Sequence, residues 1–221
     1  GDRFRSMYVV RTGFFRSAFI RGATEHVVGF PMPGDALGMD GVGRGEHPVE
    51  TVALTDAQVA VVPYALIEQM EWLHGAPAEI LVQLLCSENG CKADLLALLG
   101  YRNSTQRAAA FLLHQGERFG RIGYSRTAYP LPMRHADIGG YLHLRPETLS
   151  RALASLHAAG LVDVTTRSVE IHDVEALRVF AEGPAQEDER EPNARLARSM
   201  QRCGARLAGA RPRYAGAYAA G

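Results

Sequence analysis

Between residues 7 and 62 the apolar positions come in short runs separated by Gly, Pro and Asp: Met7 to Val10, Phe14 to Ile20, His26 to Phe30, Val49 to Leu54 and Gln58 to Val62. Runs of this length, bounded by turn formers, are antiparallel strands, and several in succession predict a β-roll. From Ile80 to Leu99 the period changes. Leu81, Leu84, Glu88, Cys91, Leu95 and Leu98 recur at alternating spacings of three and four, which predicts a long helix with the a/d seam of a two-helix coil. Such a seam dimerises the protein, or else packs only on its own β-roll. Glu88 at a core-like position weakens the seam, and Cys91 on it would meet its symmetry mate, the basis for a redox-sensitive dimer.

From Arg134 to Leu156 the pattern is two short helices around a tight turn. Ile138, Tyr141 and Leu142 form the stripe of the first, ending at Leu144. Pro146 suits the first position of the second, where no backbone donor is needed. In that helix Leu149, Leu153 and Leu156 fall on one face, and Glu147, Ser150 and Arg151 on another. Leu161 to Thr165, a polar turn at Thr166 to Ser168, and Val169 to His172 then read as a hairpin. Helix, turn, helix and hairpin make a winged helix-turn-helix, whose second helix presents its first turns to the major groove. Arg151 suits guanine O6 and N7, Glu147 a cytosine amino group, and Ser150 a thymine edge. In isolation such a trio is more often a solvated face with a Glu-Arg pair; the elements on either side reverse that and favour base reading. Arg134, Arg145, Thr148 and Arg167 stand where the DNA backbone would pass.

The run Ala136-Asp-Ile-Gly139, Tyr141-Leu142, Leu144, Glu147-Thr-Leu-Ser-Arg151 and Ala159-Gly-Leu161 resembles the DNA-binding domain of the CRP/FNR superfamily, in particular its Fnr and FixK-like branch. The resemblance extends upstream through Gly29-Phe30, Pro33-Gly-Asp35, Leu37-Gly-Met-Asp40, Gly43, Gly45, His47-Pro48, Val61-Val-Pro-Tyr64 and Gln106-Arg107-Ala-Ala-Ala-Phe111, and so covers residues 1 to 181. It implies an α+β protein: a partial β-roll of the cyclic-nucleotide-binding type over 1–70, a dimerisation helix over 71–100 and a winged helix-turn-helix over 101–181. Gly1-Asp2, Met7 to Val10 and Arg11-Thr-Gly13 match the middle of the family's N-terminal roll, so the sensor domain is expected to be incomplete at that end. Glu147, Ser150 and Arg151 match the family's base-contacting positions, implying an inverted repeat of TTGAT-like half-sites bound by a homodimer that works with RNA polymerase.

The resemblance also raises two ligands. The family's nucleotide binders clamp a phosphate with a cassette whose places here hold Gly38-Met39-Asp40 and Pro48-Val49-Glu50; an acid where a pairing arginine is expected argues against cyclic AMP. The oxygen-sensing members hold an iron–sulfur cluster on four cysteine thiolates, and at the fourth position this chain has Ala60, so no cofactor is expected. Cys86 and Cys91, five apart on a helix, point about 140° from one another and do not chelate one metal. The run through Gly41, Gly43 and Gly45 follows no strand-to-helix unit and reads as a β-turn.

Composition changes the picture little. The 221 residues carry 24 basic and 24 acidic side chains, so phosphate attraction has to come from local patches. The longest apolar run, Val59 to Ile67, is broken by Pro63 and too short to span a bilayer; with no secretory signal and three unframed cysteines, a cytoplasmic protein is expected. Eight dispersed histidines form no ligand set, and no nucleophile elbow or P-loop supports an enzyme. Residues 182–221 read as a disordered tail with Arg195, Arg198, Arg202, Arg206, Arg211 and Arg213; Leu196, Met200, Cys203 and Leu207 could alternatively line a basic helix. The alternative to a regulator is a ligand- or redox-binding sensor module whose DNA contact is secondary.

Overall fold

In the computed structural model the described residues are 2–22, 24–68, 76–101 and 103–183. The predicted roll strands form with ends shifted by a residue or two: β1 (Ser6–Thr12), β2 (Phe15–Arg21), β3 (Thr24–Gly29), β5 (Val49–Ala53) and β6 (Gln58–Pro63), with a short β4 (Ala36–Leu37) inserted before a 3₁₀ turn at Met39–Gly41. They make two antiparallel sheets, ordered β4-β1-β6 and β3-β2-β5. Apolar pairs hold the registers: buried Met7 and Val10 of β1 stand opposite Val62 and Val59, and Ser17 of β2 bonds across the strands to Thr51 at 2.8 Å.

A short α1 (Tyr64–Glu68) follows, then the long α2 (Ala76–Gly100), as the three-and-four spacing predicts. Part of the expected seam on α2 faces its own protomer. Leu98 is 4% exposed in its own protomer's core, Leu95 packs against that core, and Cys91 lines a cavity under the roll. The apolar residues α2 leaves exposed are Val82, Leu85 and Leu96, at 57%, 44% and 71%. With exposed Asn89 and Lys92 they continue the three-and-four spacing one position along, about 100° round the helix. The sequence pattern holds two interleaved stripes, and they meet at the cavity, where Lys92 and Leu96 stand beside Cys91 and Leu95. Leu84 is half-buried; the side chains of Leu81 and Glu88 lie outside the described residues, as do residues 184–221 and every feature expected of the tail.

The rest is α3 (Ser104–Arg121), β7 (Ala128–Pro130), α4 (His135–Tyr141), α5 (Pro146–Ala158), β8 (Val162–Val164), β9 (Ser168–Ile171) and α6 (Val174–Glu182). Asn103 and Asp173 cap α3 and α6, accepting from Gln106 N–H at 2.7 Å and Ala176 N–H at 2.9 Å. The predicted hairpin gains a third strand, giving the order β7-β9-β8. Phe111, Leu112, Phe119, Leu142, Leu149, Leu156 and Leu177 are fully buried where α3, α4, α5 and α6 meet.

The roll and the helical half share this core. Val27, Phe30 and Met32 join it, and Phe30 lies 5.2 Å from Tyr141 and 6.3 Å from Phe111, ring centroid to centroid. Arg118 of α3, almost wholly buried, donates to Phe30 O at 3.0 Å and to Asp35 Oδ2 at 2.6 Å. A buried guanidinium is tolerated only with such partners. Arg16 of β2 pairs with Glu25 and stands 3.8 Å from Asp137 of α4, so the β2–β3 hairpin abuts the first helix of the helix-turn-helix.

Candidate nucleic-acid interface

Helix α5 begins at Pro146, as the sequence requires, with Arg145 at the N-cap and Glu147 in the first turn, where the helix dipole favours an acid. Leu149, Ala152, Leu153 and Leu156 are 1%, 2%, 8% and 0% exposed, and Glu147, Ser150 and Arg151 stand in solvent on another side with Ala154 and Ser155. Arg151 Nε donates to Glu147 O at 3.3 Å, which lays the guanidinium along the helix with its terminal amino groups outward.

The turn holding α5 against α4 is tight. Leu144 N–H donates to Gly139 O at 2.8 Å and His143 N–H to Gly140 O at 3.3 Å. His143 has φ +54°, the sole non-glycine in the left-handed region among the described residues. Gly139 is required here: a Cβ on it would lie 2.9 Å from Leu144 O. Gly140 faces the roll, where a Cβ would come within 3.3 Å of Val27.

Of the four expected backbone contacts, Arg145 and Arg167 are exposed, Arg145 at the start of α5 and Arg167 at the tip of the wing. The wing turn is pinned by Thr165 Oγ1, which accepts from Arg167 N–H at 3.2 Å and Ser168 N–H at 3.0 Å. Thr148 is half-buried. Arg134 is 75% exposed but engaged, its Nε and Nη2 donating to the Asp137 carboxylate at 2.9 and 3.2 Å, which raises its already high pKa. Two features escaped the sequence. Asp163 on β8 takes His157 of α5 on one oxygen at 2.5 Å and His172 on the other at 3.1 Å, tying the end of the reading helix to the wing. Asp137, 5% exposed between Arg134 and Arg16, is the other. The spacing of Arg134 and Asp137 at i,i+3 was a local signal, but the contacts of Asp137 with Arg16 and of Asp163 with His157 join separate elements and show none.

Residues 106–180 match the model of the Crp-like helix-turn-helix domain, and residues 1–71 that of the cyclic nucleotide-binding domain. The chain is 31% identical over 182 residues to the fumarate and nitrate reduction regulatory protein of Salmonella typhimurium, covering 82% of this chain and 73% of that one, and equally so to its namesake in Escherichia coli K12. The chain belongs to the CRP/FNR family. Like the family it is a DNA-binding transcription regulator, and its likeness to FixK2 of Bradyrhizobium japonicum agrees with the Fnr and FixK-like resemblance (TM-score 0.68, 28% identity, 80% of this chain and 89% of that one). A CRP-family regulator of Thermus thermophilus, 18% identical over 85% of this chain and 93% of that one, shares the fold at a TM-score of 0.66.

As a CRP/FNR protein it carries a cavity of about 430 Å³ between roll and helices, with Ser17, Asp40, Val49, Thr51, Cys91 and Tyr141 on its wall. Two acids face it: Asp35, paired with Arg118, and Asp40, whose Oδ2 accepts from Val49 N–H at 3.2 Å and whose Oδ1 stands 3.7 Å from His47 Nδ1. Glu50 is exposed on the other side of β5, a correction that follows from strand alternation. With a carboxylate already on the Val49 amide, the residues here do not fit a cyclic phosphate. His114, also on the wall, has its pKa lowered to about 4, first by burial and then by Arg118. Burial raises the pKa of the Cys91 thiol, which makes it a poor thiolate. Ala60 sits in β6 opposite Val9 and offers a methyl group where a cluster would need a thiolate, so those residues do not fit four-cysteine ligation. Among the described residues no helix is long and apolar enough to cross a membrane.

Proposed function

We propose that the protein is a homodimeric, sequence-specific transcription regulator that reads an inverted repeat of TTGAT-like half-sites without a bound cofactor or cyclic nucleotide, and that it acts in the cytoplasm with RNA polymerase. The observation that carries this is the division of α5: its leucine face is buried while Glu147, Ser150 and Arg151 are all exposed on its first two turns. An Arg there donates two bonds to guanine, a Glu accepts from cytosine, and Ser meets the intervening thymine edge. Arg145, Thr148 and Arg167 flank the trio as phosphate contacts, and Arg134 joins them by exchanging Asp137 for a phosphate.

The two copies pair through the exposed stripe Val82, Leu85 and Leu96 of α2, which places two reading helices about one DNA turn apart. The alternative, a sensor module with secondary DNA contact, has the cavity in its favour, but leaves the exposed reading trio without a role. Arg151→Ala in the full chain tests the proposal: affinity for a TTGAT-n4-ATCAA duplex falls by about 1–3 kcal/mol per reading helix and discrimination at the guanine pair relaxes. An equal loss on a scrambled duplex would reduce Arg151 to a phosphate contact and sink the base assignment.

A further inference from the structure

The helix-turn-helix is tied to the end of α2 by one side chain that neither the base readout nor the core explains. Arg107, in the first turn of α3, donates from Nη1 to Leu142 O at 2.9 Å and from Nη2 to Tyr101 O at 3.0 Å. Both acceptors are carbonyls at helix C-terminal ends. Tyr101 directly follows α2, and its N–H reaches back to Leu98 O at 3.3 Å; Leu142 is the C-cap of α4, fully buried, immediately before the turn into α5. Such carbonyls have no partner within their own helices and carry the negative end of the helix dipole. A planar cation meets two of them at once from separate nitrogens of a rigid fork, whereas an ammonium has to reach both from a single nitrogen on a flexible stem. The third nitrogen, Nε, is buried without a partner, so the guanidinium accepts a desolvation cost to hold this position.

We propose that Arg107 is a positioning residue for DNA reading: it clamps the last turn of α2 to the α4–α5 turn, so that the orientation of α2 sets the orientation of the reading helix. The inference rests on the proposed base-reading role of α5. It adds a route by which any change at α2, whether at the dimer stripe or at the cavity wall, reaches Glu147, Ser150 and Arg151. The route is short: Leu98 lies in the shared core, Tyr101 bonds back to it, Arg107 spans to Leu142, and Leu144 two residues on is held by Gly139.

Arg107→Lys in the full chain, with Arg107→Met beside it, separates this role from simple stabilisation. Hydrogen exchange at the amides of Tyr101, His143 and Leu144 should quicken together, by about tenfold or more, while the amide of Leu161, bonded to Leu156 O at 3.1 Å, keeps its rate. Preference for the TTGAT-n4-ATCAA duplex over a scrambled one should fall by about fivefold, with affinity for the scrambled duplex and its salt slope unchanged, because no phosphate contact is lost. Exchange that quickens at one end only, or at Leu161 as much as at the turn, overturns the clamp. So does an unchanged preference in a variant whose two ends have loosened. If the wild-type chain shows no preference between the duplexes, the base-reading function fails, and the exchange pattern still decides the clamp.

Discussion

Replacing Gly139 by Ala puts two opposed effects on one site, and the structure says which wins. Within a helix the exchange is ordinarily favourable, by about 1 kcal/mol. At Gly139 the new Cβ would lie 2.9 Å from Leu144 O, against about 3.3 Å for the closest ordinary carbon–oxygen contacts. That carbonyl cannot swing aside, because the Leu144 N–H is bonded to Gly139 O at 2.8 Å and Pro146 follows at 3.9 Å from the same Cβ. Overpacking of this kind costs about 1–3 kcal/mol. Gly90 of α2 is the control, since nothing lies within 4 Å of its Cβ position and only the propensity gain operates. Urea unfolding of the two single variants should therefore place Gly139→Ala about 1–3 kcal/mol below Gly90→Ala, with similar m-values. The Gly139 variant should also lose preference for the palindromic duplex, because the clash is relieved by moving α5. Equal stability of the two variants, with normal DNA binding by both, would refute the described turn.

Three further outcomes follow from groups outside the reading face. Gln115 is 0% exposed and both its amide atoms lack partners, so Gln115→Met should stabilise the chain by about 1–2 kcal/mol; a loss of that size in urea unfolding would show that the amide is bonded. His114 is neutral in the fold with its pKa lowered to about 4, so the unfolded chain binds a proton the folded chain refuses below the ordinary value near 6.5. Stability is thus complete above pH 6.5 and declines as pH falls from there to about 4; a ring titrating near 6.5 by NMR would contradict this. If the proposed dimer forms through α2, Leu85→Glu with Leu96→Glu should leave a folded monomer in sedimentation where the wild type sediments as a dimer, since both side chains are exposed; an unchanged dimer mass would place the contact elsewhere.

Local periodicity carried much of this molecule into view. The roll strands, the α2 helix, the start of α5 at Pro146 and its division into two faces all follow from residues a few positions apart. Asp40 and Glu50 show the limit: Glu50 turns away from the cavity because of its phase on β5, which spacing alone does not set, while Asp40 of the 3₁₀ turn faces it. On α2 the limit is similar. The expected seam and the exposed residues Val82, Leu85 and Leu96 interleave at the same spacing, so spacing alone does not tell that Leu95 and Leu98 pack against the shared core. Arg107, Arg118, Asp163 and the approach of Arg16 to Asp137 were hidden because the partners lie on other elements; the chain shows the charges but not the pairings.

The most direct test of the central claim is binding of the purified wild-type chain to a TTGAT-n4-ATCAA duplex against a scrambled one, in air and with no added ligand. The account predicts tight binding to the palindrome, by at least about a thousandfold over the scrambled duplex. Equal, weak and salt-sensitive binding to both would contradict it, and would leave α5 as a helix that meets phosphates without reading bases.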